Sequence, residues 1–159
     1  MINNQKNNLS NDEHITAYAL RSNELLTSYI SLHDSTVRVT GLISLLKSIF
    51  KSTDFKQLHN DSAILLNQSN SLYNELNAYR STSFGNLSED QKIYINQLLA
   101  FTGKLDITLQ FLKERQLLLY RKSQGERRRR KEYSSIERKY KYSIEEYMEE
   151  GKRLMTLSM

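Results

Sequence analysis

The amino-acid sequence predicts an all-α protein, a long antiparallel two-helix coiled-coil hairpin. Three observations lead there. The 159 residues contain no proline, the residue that costs about 3 kcal/mol inside a helix, so very long helices are permitted. Apolar residues recur in interleaved seven-residue series, the a/d stripe of a coiled coil. A single strong turn signal near the middle divides the chain into two arms of nearly equal length. The apolar content of 38% beside 26% charged residues suits a narrow seam rather than a thick interior.

Residues 1–11 are Asn-rich and polar and are expected to be disordered. Asn11 or Asp12 can cap a helix that begins near Glu13. One apolar series then runs Tyr18, Leu25, Leu32, Val39, Leu46. The other runs Ile15, Tyr29, Ile43, Phe50, with Ser22 and Thr36 as polar members. The stripe slips around Ser52, Thr53 and Asp54, which mark a stutter in one helix or a short break with a fresh cap. It resumes at Leu58, Leu65, Leu72, Leu76 and Tyr79. The run Ser81, Thr82, Ser83, Phe84, Gly85, Asn86, Leu87 is the turn. Ser88 and Gln91 have capping-box spacing, and Glu89 and Asp90 suit the positive end of the helix dipole. The second arm carries Tyr94, Leu98, Phe101, Leu105, Leu112 and Leu119. It loses all apolar character over 120–132 and regains it at Tyr133, Ile136, Tyr140, Ile144, Tyr147 and Leu154.

The arms, 12–80 and 88–157 around the turn 81–87, make one helical unit. In an antiparallel hairpin, facing residues have a constant index sum. Tyr94/Leu76, Leu98/Leu72, Leu105/Leu65 and Leu112/Leu58 each sum to 170. Leu119/Phe50, Tyr140/Tyr29, Ile144/Leu25 and Leu154/Ile15 each sum to 169, and the same register sets Gly151 against Tyr18. The alternative is an elongated four-helix bundle, with breaks at 52–54 and at Gln124 and Gly125.

The net charge of +5 is unevenly placed: residues 1–90 carry −2 and residues 91–159 carry +7. Most of the excess is Arg121, Lys122, Arg127, Arg128, Arg129, Arg130 and Lys131. Four consecutive arginines point all round a helix, which makes this cluster a candidate electrostatic contact for an acidic protein or a phosphate backbone. In the hairpin register it faces a segment that is apolar nearly all round. There Val37, Val39, Leu42, Ile43, Leu45, Leu46 and Phe50 form a candidate apolar partner-binding patch.

Other chemistry finds no support. There is no cysteine, and His14, His33 and His59 lack the spacing of a helical metal site. No glycine-rich phosphate loop and no nucleophile–base constellation is present, so no enzymatic activity and no cofactor are expected. The start of the chain lacks the charged and apolar regions of a signal peptide. The best apolar run, 41–50, is about half the length of a membrane span. A cytoplasmic protein is expected, with a peripheral place at the inner membrane still open.

Two near-equal arms around a polar turn, the Leu87, Ser88, Glu89, Asp90 start of the second arm and the stretch from Arg127 to Tyr140 carry a resemblance. The chain resembles the stalk family of bacterial type III secretion and flagellar export, the FliJ and InvI/YscO-like proteins. The resemblance spans residues 12–157. It implies a non-enzymatic stalk or adaptor that binds the hexameric secretion ATPase and the export-gate protein, with chaperones as further partners. Two alternatives remain beside it. One is a helical nucleic-acid-binding protein that places the 121–131 cluster on phosphates. The other is a membrane-active helical protein that uses 41–50 as a wedge.

Solution scattering separates the two architectures. The hairpin requires a maximum dimension near 100 Å, at about 1.5 Å per residue, and the four-helix bundle about half that.

Overall fold

The computed structural model describes residues 10–43, 53–126 and 130–157, with backbone alone at 38–43 and 130. Four helices pack against one another: α1 (Asn11–Ile43), α2 (Phe55–Ser83), α3 (Glu89–Ser123) and α4 (Arg130–Met155). A single 3-10 turn, Phe84–Asn86, links α2 to α3. No strand occurs among the described residues. The expected disorder of 1–11 falls mostly on residues 1–9, outside the described residues.

Several helix ends have a local cause. Ser10 rather than Asn11 or Asp12 caps α1. Its hydroxyl accepts from the Glu13 amide at 3.3 Å, and the Glu13 carboxylate accepts from the Ser10 amide at 2.6 Å. That is a capping box in the spacing Ser-x-x-Glu. Asp54 caps α2 by accepting from the Gln57 amide at 2.9 Å. Ser88 and Gln91 form the box expected from their spacing, at 3.2 and 2.9 Å. Helix α3 stops in a Schellman motif: the Glu126 amide reaches back to the Arg121 carbonyl and the Gly125 amide to that of Lys122. Gly125 has φ +84°, a left-handed conformation that a Cβ would oppose.

Both predicted arms therefore contain a helix end, at Asp54 and at Gln124, and the flanking helices fold back. Arg21 of α1 makes a two-pronged ion pair with Glu75 of α2, at 2.7 and 3.0 Å. Along an unbroken helix those residues would stand about 80 Å apart. Helix α4 returns along α3 through Gln97–Glu150, Lys104–Glu146 and Arg115–Glu137. The start of α1 is tied to the central turn. Asn11 meets Tyr79 and the Asn86 carbonyl, and Asp12 accepts from Gln91.

The core lies around α3. One part unites Leu25 and Tyr29 of α1, Leu65 and Leu72 of α2, Phe101, Leu105, Leu109 and Leu112 of α3, and Tyr140 and Tyr147 of α4. A second, at the turn end, holds Ile15, Leu76, Leu87, Ile95, Leu98 and Leu99. Ser22 and Thr36, the polar members of the heptad series, are buried as their positions require. Each hydroxyl donates to the carbonyl four residues back, at 2.9 Å. Gly151 faces the Phe101 ring of α3 rather than Tyr18. A Cβ there would come within 3.3 Å of that ring, which would have to give by a few tenths of an ångström.

Leu105 is fully buried and Leu20 is 60% exposed. Leu105→Ala is expected to cost about 2–5 kcal/mol by lost transfer energy and an unfilled cavity. Leu20→Ala should stay within about 0.5 kcal/mol. Chemical denaturation of the two variants measures the difference, and equal losses would contradict this packing.

Candidate functional site: a cationic end above a buried tyrosine cluster

The fold collects one end of every helix at the end opposite the central turn: the C-termini of α1 and α3 and the N-termini of α2 and α4. The two helix breaks are neighbours there. A cleft of about 250 Å³ is lined by Thr53, Asp54, Phe55 and Lys56 on one side and Tyr120, Ser123 and Gln124 on the other. By sequence, the described residues at this end, 34–43, 53–60, 110–126 and 130–138, carry a net charge of +3, and the other described residues carry −4.

The predicted contact residues fall as follows. Arg121 and Lys122 occupy the last turn of α3 and are exposed. Lys131 is exposed in the first turn of α4, which begins at Arg130. Arg127, Arg128 and Arg129 lie outside the described residues. Of the predicted apolar patch, Val37 is 45% exposed on α1. Val39, Leu42 and Ile43 belong to the α1 backbone without described side chains, and Leu45, Leu46 and Phe50 lie outside the described residues. The structure thus joins Arg121, Lys122, Arg130, Lys131 and Val37 to one end of the molecule.

Electrostatics there are unusual at α4. A helix N-terminus carries partial positive charge and favours anions. The starts of α1 and α3 obey, with Asp12, Glu13, Glu89 and Asp90. Helix α4 instead begins Arg130, Lys131, with Glu132 alone in opposition.

Beside this end a cleft of about 500 Å³ opens between α1 and α4, lined by His33, Val37, Arg115, Tyr133, Glu137, Tyr140, Lys141 and Ile144. Its floor is a polar cluster that spacing along the chain could not reveal, since its members come from three helices. The Tyr29 and Tyr140 hydroxyls lie 3.0 Å apart, and the Tyr140 hydroxyl is 2.6 Å from His33 Nδ1. Arg115, almost wholly buried, donates from Nε to Glu137 at 2.7 Å, and its guanidinium lies over the Tyr140 ring. One level away, Gln116 donates to Thr36, and the Thr108 hydroxyl reaches the Ser143 carbonyl at 3.0 Å. The one available sequence signal was Arg115 itself, a charge three residues after Leu112 and four before Leu119, on the seam.

Burial pushes the Tyr29 and Tyr140 phenols well above the ordinary phenol range, so both are neutral at physiological pH. Burial opposes the charge on Arg115, but the hydrogen bond and charge of Glu137 outweigh it and raise its pKa. Burial lowers the His33 pKa. Asp34 and Glu137 work against that shift, and the Arg115 charge adds to it. The cluster has no activated nucleophile, and the arrangement can fix helices and receive a charged or aromatic side chain. Among the described residues no group of three or more His, Cys, Asp or Glu could hold a metal ion. None of the described helices is long and apolar enough to cross a membrane.

The other histidines are spread out, as their sequence positions suggest. His14 stacks on Tyr79 at 5.2 Å, and His59 lies 3.3 Å from the Lys113 carbonyl. No family model, curated protein or solved structure matches the chain.

His33 yields a pH prediction. Its folded pKa is depressed, so the neutral ring is favoured by folding. The associated stability is complete above the unfolded value of about 6.5 and is lost as pH falls below it. NMR titration should place the His33 ring below about 6.5, and the thermal midpoint should fall more steeply on acidification in wild type than in His33→Gln. A ring that titrates at or above 6.5 would refute the packing around Tyr140.

Proposed function

We propose that this chain is a non-enzymatic helical adaptor whose cationic end docks on an acidic protein surface. The observation that carries the reading is like charge gathered at one end, including cations at the α4 N-terminus where the helix dipole opposes them. Such an arrangement is costly in the free protein and is relieved by an anionic partner. The adjoining cleft, with exposed Val37 and half-buried Tyr133 at its rim, offers a place for a partner side chain. The free monomer, in this reading, is the closed four-helix bundle rather than the opened hairpin.

The setting we propose is a bacterial type III protein export apparatus, with the secretion ATPase hexamer and the export-gate protein as partners. Its support is the sequence resemblance over residues 12–157. Acidic protein is preferred to nucleic acid as the partner because the positive charge is confined to one end. A continuous phosphate track would want it along a face.

Replacing Arg127, Arg128, Arg129 and Arg130 together by Ser should leave the helical content and thermal midpoint nearly unchanged, since it removes mutual repulsion. Partner association should slow, and wild-type binding should weaken with added salt. Affinity capture from bacterial lysate with nuclease present, read by mass spectrometry, tests the assignment. Arginine-dependent recovery of a secretion ATPase or export-gate protein supports it. If every arginine-dependent partner disappears with nuclease, the nucleic-acid alternative replaces it.

A further inference from the structure

We propose that the cleft lined by His33, Arg115 and Lys141 is a carboxylate subsite, which takes an aspartate or glutamate side chain of the partner with an apolar residue beside it. The inference rests on the docking reading above and assigns that reading a particular pocket.

The first ground is a hydrogen-bond chain that ends at the cleft. The Tyr147 hydroxyl hydrogen-bonds that of Tyr29. The Tyr29 hydroxyl lies 3.0 Å from that of Tyr140, which lies 2.6 Å from His33 Nδ1. Each phenol has one proton to give, and the neutral imidazole has one. Were Nδ1 the donor, the protons would run from His33 towards Tyr147, and the Tyr147 proton would end without an acceptor among the described residues. Run the other way, every phenol proton is used: Tyr147 gives to Tyr29, Tyr29 to Tyr140, and Tyr140 to Nδ1. His33 then carries its own proton on Nε2. That atom has no hydrogen-bond partner among the described residues, and the ring lines the cleft.

The second ground is charge. Two cations, Arg115 and Lys141, line the cleft against one carboxylate, Glu137. Arg115 Nε holds Glu137 at 2.7 Å, so those two charges largely offset each other. Lys141 is exposed and makes no ion pair among the described residues. One ammonium and one imidazole N–H therefore remain for a ligand, and the two oxygens of a carboxylate accept such donors. A cationic ligand would meet the Lys141 charge instead. From α1, Asp34 faces His33 and opposes an incoming anion, but it is exposed and screened.

The third ground is the wall. Val37, 45% exposed, and half-buried Ile144 flank the polar groups. The cleft volume of about 500 Å³ exceeds what a carboxylate alone fills and leaves room for an apolar group against that wall.

Phenylacetate is a probe that joins the two features, and phenylacetamide is its neutral control of similar shape. In an NMR titration phenylacetate should move the His33 ring signals and the Val37 and Ile144 methyl signals. It should also raise the His33 pKa, because a bound carboxylate favours the imidazolium. Phenylacetamide should bind about tenfold more weakly or worse, and Lys141→Met should weaken phenylacetate about tenfold while leaving phenylacetamide unchanged. Equal affinity for the two probes, a His33 pKa that phenylacetate leaves in place, or signals that move only at Arg121 and Lys122 overturns the proposal. Saturation by inorganic phosphate at a lower concentration than by phenylacetate overturns it in favour of a phosphate ligand. With Arg127, Arg128, Arg129 and Arg130 replaced by Ser, phenylacetate affinity should stay at the wild-type value, and its loss would place the anion at the arginine run and overturn the subsite. Loss of arginine-dependent capture from lysate would remove the docking reading and leave this titration standing, whereas failure of the titration leaves the capture result standing.

Discussion

Helix α3 buries too broad a face for one neighbour to cover, and the other helices are arranged around that constraint. Adjacent residues are buried together at Leu98 and Leu99, Phe101 and Thr102, Thr108 and Leu109, and Arg115 and Gln116. Neighbours on a helix point about 100° apart, so each doublet widens the buried stripe beyond a coiled-coil seam. Helix α2 covers one flank and α4 the other, with α1 closing the remainder. Hydrophobic gain of roughly 25 cal/mol per Å² drives this closure. It must outweigh the cost of interrupting both arms.

The polar cluster gives the closed arrangement its alignment. Buried ion pairs add little net stability, because the desolvation cost offsets the attraction. Their leverage comes from the penalty of breaking them. A slip of one turn between α3 and α4 would bury Arg115 away from Glu137, and a slip of α1 would part Tyr29 and His33 from Tyr140. Near the central turn the apolar core of Ile15, Leu76, Ile95 and Leu98 is flanked by the Tyr79–Asn11 and Gln91–Asp12 hydrogen bonds. Direction-sensitive contacts thus occur at both ends of the bundle.

The all-α class, much of the local structure and the breaks at 52–54 and at Gln124 and Gly125 were legible in the sequence, but it gave no ground for choosing between the hairpin and four packed helices. The seven-residue series locates seam residues such as Leu65, Leu105 and Tyr140, and Ser88 with Gln91 marks the start of α3. The cap at Ser10 was missed in favour of its neighbours, although Glu13 stands at capping-box spacing from it. Index sums could not separate the hairpin from four packed helices, because α2 faces α3 in both and the Tyr29–Tyr140 contact keeps the same sum between α1 and α4 although α1 lies mainly on α2 and α3. The informative signal was the pairing of apolar neighbours in α3, Leu98 with Leu99 above all, which a one-seam reading treats as incidental. For the candidate site, the arginine run is evident from composition. Arg115, Glu137 and His33 meet only through tertiary packing, and no spacing rule joins them.

Charge and backbone dipoles at the cationic end have separate consequences. Two helix C-termini and two N-termini meet there, and the field of each acts within its own terminal turn. The side-chain charge there is +3 over the described residues, against −4 over the other described residues. Screening at physiological salt acts over about 8 Å. The acidic central-turn end, a helix length of roughly 50 Å away, therefore does not moderate it. The return of α4 along α3 keeps Lys131 at the same end as Arg121 and Lys122, and closure works against their repulsion. The apolar face of α3 supplies the opposing free energy. The same burial that forces four helices together thus builds a concentrated positive surface, and an approaching anionic partner is oriented towards that end before any shape complementarity acts.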